Sequence, residues 1–105
     1  MPALICLPPA GAGPGLFRPW QRLDAGVRAP GIPGREGRFR EPPEPDLPAL
    51  AARIAAEVAP GLPARYGLFG YSMGGALAFL LAERLVAQGL PGPEALFRLG
   101  APPME

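Results

Sequence analysis

Residues 66–75, Tyr-Gly-Leu-Phe-Gly-Tyr-Ser-Met-Gly-Gly, decide the fold. Tyr66 to Phe69 is a short apolar, aromatic run that reads as a strand. Met73 to Gln88 follows without a proline and reads as a helix, with Gly89 as a natural C-cap. Between them lies Gly70-Tyr71-Ser72-Met73-Gly74, a Gly-x-Ser-x-Gly turn. A sharp strand-to-helix turn of this kind holds its central residue in a strained backbone conformation and lifts the hydroxyl above the sheet edge. Gly70 and Gly74 then remove side chains that would collide as strand and helix fold back, and Gly75 lets the helix pack closer. The plainer alternative is a glycine-rich turn whose serine only caps a buried helix. The surrounding elements favour the elbow.

Ala3 to Leu7, "ALICL", is a continuous apolar run that reads as a strand buried on both faces. The glycine-rich loop "PPAGAGPG" follows, then a short helix from Leu16 to Asp24 with Pro19 in its first turn. Val27 to Ala29 is a weak strand, and Arg28, Pro30 and Gly31 count against a central place for it. Residues 31–45 are a polar loop rich in Pro, Gly and Arg. Asp46 is a good N-cap, and Leu47, Leu50, Ile54 and Val58 form one apolar stripe on a helix that Pro60 and Gly61 stop. "MGGALAFLLA", residues 73–82, is apolar on every side and is therefore predicted to be buried. Ala95 to Leu99 reads as a last strand. Alternation of strand and helix predicts an α/β domain with a parallel sheet and no second domain.

The helix that starts at Met73 points its free amides and its dipole at Ser72. The Met73 amide can therefore stabilise an oxyanion formed when Ser72 attacks a carbonyl. A second donor should come from the loop after an earlier strand. Pro8 and Pro9 have no N–H, so Ala10 is the first residue of that loop able to donate, and Gly11 and Gly13 keep it slim. Yet the chain has no histidine to take the serine's proton, and no lysine. Its aspartates, Asp24 and Asp46, precede the serine.

Composition narrows the remaining classes. A net charge of +1 gives no field strong enough to imply nucleic acid or an anionic membrane. All ten basic residues are arginine, which biased codon usage explains. Glycine and proline number 15 and 17, but hydrophobic residues make up 49%, enough for a loop-rich globular domain. One cysteine, Cys6, cannot form an internal disulfide and reads as a buried, inert thiol. With one cysteine and no histidine, no metal site is expected. The N-terminus lacks the pattern of a signal peptide, and no run is long enough to span a bilayer, so a cytoplasmic protein is expected.

Taken in order, these motifs resemble a family. "LICLPPAGAG", "FRPW", "PGREGRFREPP", "DLPALAARIA" and "YGLFGYSMGGALAFLLAERL" resemble successive segments of the type II thioesterases of polyketide and nonribosomal peptide biosynthesis. These belong to the α/β-hydrolase superfamily, so the resemblance implies a partial α/β-hydrolase fold of about four parallel strands with flanking helices. It implies hydrolysis of acyl thioesters on the phosphopantetheine arm of an acyl or peptidyl carrier protein, with no cofactor of the enzyme's own. It makes Ser72 the nucleophile and gives the oxyanion amides to Met73 and Ala10. It also implies that residues 1–105 are the N-terminal part of the domain, with the catalytic acid and histidine lying beyond Glu105. Alone, such a chain should be inactive, and its last strand should expose an edge that favours aggregation. Tyr71 stands where the family usually has histidine, and Arg35 of the Pro-Gly-Arg segment reads as a solvated loop arginine. Another serine acyl hydrolase or acyltransferase, or a non-catalytic remnant that binds a carrier or partner protein, are the alternatives.

Overall fold

The computed structural model describes residues 2–100, so the expected span 1–105 is described except for residue 1 and residues 101–105. Four strands form one sheet: β1 (Ala3–Leu7), β2 (Val27–Arg28), β3 (Tyr66–Tyr71) and β4 (Ala95–Leu99). Their order is β2-β1-β3-β4, and every pair is parallel. The helices are α1 (Arg18–Leu23), α2 (Leu47–Val58) and α3 (Met73–Ala87). Beyond Glu94, β4 continues the alternation that the sequence predicts.

"ALICL" occupies the interior of the sheet because both its faces are apolar. Strand side chains alternate between faces. Ala3, Ile5 and Leu7 join Tyr66 and Leu68 of β3 in the core that α2 and α3 cover. On the alternate face Phe69 packs against Phe17 and Trp20, with ring centroids 6.1 and 5.0 Å away. β2 is held to two residues at the sheet edge, as Arg28 and Pro30 require.

Asp46 caps α2 by accepting from the Ala49 amide at 3.0 Å. The buried face of α2 is Leu50, Ala51, Ile54 and Ala55, with Leu47 and Val58 at its margins. The small alanines let this face lie against α3, so the buried stripe is broader than the large side chains alone suggest. α3 ends in a Schellman motif: Leu90 N donates to Leu85 O at 3.1 Å and Gly89 N to Val86 O at 2.9 Å, with Gly89 at φ +85°.

Two expectations need correction. β3 runs two residues past Phe69, because Gly70 pairs with Leu7 of β1 and Tyr71 with Leu99 of β4. The first half of α3 is not buried all round. Leu77, Ala78 and Leu81 are buried in the core with residues of the sheet and α2, but Phe79 is 39% exposed. On β4, Phe97 and Leu99 are also exposed.

Candidate active site

Ser72 sits between the last residue of β3 and the first of α3, with φ 56° and ψ −117°. A residue with a Cβ holds this left-handed conformation at a cost of about 1–3 kcal/mol, so the surrounding structure must enforce it. The enforcement is visible: Ser72 N donates to Leu99 O at 2.7 Å, and Gly75 N donates to Ser72 O at 2.9 Å. The Ser72 side chain makes no capping hydrogen bond to α3. Its hydroxyl is not used as the plain cap that the alternative reading required.

The two motif glycines act against different neighbours. A Cβ on Gly70 would run into the backbone of Gly74 and Gly75, so this glycine closes the strand onto its own helix. A Cβ on Gly74 would run into the carbonyls of Leu7 and Pro8 instead. Gly74 therefore lets the first turn of α3 meet the end of β1, where the loop bearing Ala10 begins. Gly70→Ala is expected to cost about 3 kcal/mol of stability, because backbone atoms must move to admit the methyl group. Urea unfolding would measure it.

Ala10 lies in a tight turn after β1. Ala12 N donates to Pro9 O at 3.2 Å, and Gly11, at φ +84°, takes the left-handed position that such a turn reserves for glycine. The bond that closes the turn leaves the Ala10 N–H out of it. Pro8, Pro9, Ala12 and Met73 line one cavity of about 300 Å³ together with Arg35. An apolar groove of about 430 Å³ lies beside it, bounded by Pro9, Phe17, Trp20, Phe69, Tyr71 and Leu99. Elbow, first helical turn and Ala10 loop thus converge at the C-terminal ends of β1 and β3.

The other ionisable candidates are engaged elsewhere. Asp24 accepts from the Gly26 amide at 2.7 Å, and Asp46 caps α2. Cys6 is fully buried, and desolvation pushes its thiol up to about 11, which leaves it protonated and unreactive at neutral pH. No group of three or more metal-ligating side chains occurs among the described residues.

A parallel sheet entered by such an elbow is shared by several hydrolase families, and the match to known proteins distinguishes them. The model of the thioesterase domain family matches residues 2–105. The chain belongs to the thioesterase family.

This thioesterase chain is 45% identical over 85 residues to the AMB antimetabolite synthetase AmbE of Pseudomonas aeruginosa, covering 78% of itself and 4% of that protein. It superposes on the RedJ thioesterase of the prodiginine pathway in Streptomyces coelicolor with a TM-score of 0.85 and 38% identity, covering 95% of itself and 39% of RedJ. On the type II thioesterase BorB of the borrelidin cluster the TM-score is 0.89 and the identity 36%, covering 96% of itself and 42% of BorB. The chain thus spans well under half the length of each.

In this thioesterase, reading the sequence missed Arg35 and Glu36. Arg35 is not a solvated loop arginine: its Nη1 donates to Ala12 O at 3.1 Å. Glu36 accepts from the Gly15 amide at 2.7 Å. Both partners lie more than twenty residues away in the Ala10 loop, so no local pattern reports them. The spaced glycines Gly13 and Gly15 were the one available signal, since each would place a Cβ against Glu36.

Proposed function

We propose that this chain carries the nucleophile and the oxyanion loop of a thioesterase that hydrolyses acyl thioesters on the phosphopantetheine arm of a carrier protein. The observation that carries the reading is Ser72 itself. It is held left-handed, free of capping duty, at the N-terminus of α3 and beside the Ala10 loop.

In the proposed reaction Ser72 Oγ attacks the thioester carbonyl carbon and gives up its proton. The carbonyl oxygen becomes an oxyanion and accepts from the amides of Met73 and Ala10. As the intermediate collapses, the C–S bond breaks and the pantetheine thiol leaves with the proton. Water then attacks the acyl-Ser72 ester and releases the carboxylic acid. The proton acceptor is a histidine, and it stands outside these 105 residues, which contain none. The apolar groove under Tyr71 and Leu99 suits an acyl chain. The substrate brings its own phosphopantetheine, so the reaction calls for no cofactor held by the enzyme. A cytoplasmic location, where carrier-bound intermediates are made, fits the reading. Among the described residues no helix is long and apolar enough to cross a membrane.

A second reading is a non-catalytic remnant that binds a carrier or partner protein. One experiment separates the two. The protein as its gene encodes it is incubated with an acylated carrier protein, and the carrier is weighed by intact mass spectrometry. Loss of the acyl group is expected. Carrier binding without deacylation would support the remnant instead.

A further inference from the structure

The Pro-Gly-Arg segment, Pro33 to Arg35, has no part in the reaction described above, yet the side chains of Arg35 and the following Glu36 reach into the loop that carries Ala10. Arg35 Nη1 donates to the Ala12 carbonyl at 3.1 Å. Glu36 Oε1 accepts from the Gly15 amide at 2.7 Å, and Glu36 Oε2 stands 3.7 Å from Arg18 Nη2. One dipeptide therefore grips the loop on both sides of Gly13. The grip explains the loop's composition. A Cβ on Gly13 would lie 2.6 Å from Glu36 Oε1, and one on Gly15 would lie 2.7 Å from Oε2. Those glycines make room for the carboxylate.

Glu36 adopts φ 46°, an unfavourable left-handed conformation for a residue with a Cβ. In an extended chain, neighbouring side chains point to opposite sides. The left-handed kink breaks that alternation and lets Arg35 and Glu36 serve the same loop. The segment behind them is itself braced. Gly34 N donates to Arg38 O at 2.9 Å. Arg38 pairs with Glu41 through two bonds of 2.7 and 2.8 Å, and with Glu57 of α2 at 2.8 Å. A continuous path of contacts runs from α2 through Arg38 to the loop.

Such a path matters because an oxyanion donor works only when it is fixed before the reaction, within about 2.7–3.1 Å of the developing charge. Between Pro9 and Pro14 the loop carries Gly11 and Gly13, whose backbone freedom contacts from outside the loop restrict. We infer that Arg35 and Glu36 are positioning residues that hold the Ala10 loop so that the Ala10 amide faces the oxyanion formed on Ser72. The inference rests on the thioesterase reading given above.

The test uses the protein as its gene encodes it, with a soluble acyl-pantetheine thioester as substrate and an alkyl boronic acid as a mimic of the tetrahedral oxyanion. Arg35→Ala and Glu36→Ala are each expected to lower kcat about tenfold, with KM within about twofold, because the donor is loosened rather than removed. The boronic acid should bind more weakly by the same factor. Glu36→Gln keeps an oxygen that can accept from Gly15 and should restore kcat to within about threefold of wild type. A merely structural role would not produce that rescue or the parallel loss of boronate affinity. If Arg35→Ala fails to fold, the Glu36 pair decides alone, its carboxylate being more exposed.

Unchanged kcat in both alanine variants, in a protein that Ser72→Ala inactivates, would overturn the inference and leave the functional reading standing. So would a kcat loss without weaker boronate binding. Absence of wild-type turnover, or turnover that survives Ser72→Ala, would overturn both together.

Discussion

Ser72→Ala is expected to lower acyl-thioester hydrolysis by about 10⁶ in kcat, equivalent to roughly 8 kcal/mol of barrier, because the group that forms the covalent bond is gone. Folding should be unaffected. The Ser72 backbone bonds to Leu99 and from Gly75 do not involve the side chain, and the hydroxyl caps nothing. Alanine meets the same left-handed φ as serine, so no new strain appears. The expected result is therefore an inactive protein with an unchanged melting temperature. A matched drop in both would mean that Ser72 serves the turn and not the chemistry. Steady-state kinetics on an acyl-pantetheine thioester, with a thermal melt of the same preparation, measures the two quantities side by side.

The 105 residues prepared alone should be nearly as inactive as that variant. They contain no histidine, and their two aspartates are committed to local turns and caps. Removing a triad histidine costs on the order of 10⁶ in turnover, as removing the serine does, and leaves on the order of 10³ over water from the oxyanion donors and binding. The isolated chain is expected to show that residue of activity at most. It should also associate through β4, whose Phe97 and Leu99 are 57% and 55% exposed on an edge strand. Single-turnover kinetics and sedimentation of the purified chain check the two expectations. Rapid turnover abolished by Ser72→Ala would contradict the first, and would require a base among the carboxylates of this chain. A monomer with a sharp cooperative melt would contradict the second.

Much of this fold was legible because its signals are local. "ALICL" is apolar on both faces and became an interior strand, while Arg28 and Pro30 confined β2 to an edge. Asp46 capped α2 because its side chain reaches an amide three residues on. The elbow was legible for the same reason. What escaped depended on partners far along the chain. The extension of β3 through Tyr71 comes from pairing with β1 and β4. The exposure of Phe79 depends on what packs over α3, which its apolar composition does not report. The direction of Gly74 towards Leu7 and Pro8 is a tertiary contact, and so are the grips of Arg35 and Glu36 on the Ala10 loop. A polar loop of Pro, Gly and Arg carries no periodicity from which such contacts could be inferred. The site follows the same division. Ser72, Gly70, Gly74 and Met73 are neighbours in sequence and were read together, whereas the residues that steady Ala10 were not.

The most direct measurement is to trap the covalent intermediate. The protein as its gene encodes it is mixed with an acyl thioester, quenched in acid within the first turnovers, digested, and mapped by mass spectrometry. One acyl group is expected, on the peptide that contains Ser72, absent from Ser72→Ala and lost on longer incubation as water releases the acid. An acyl group on any other residue, or hydrolysis that proceeds at the wild-type rate in Ser72→Ala, would contradict this expectation.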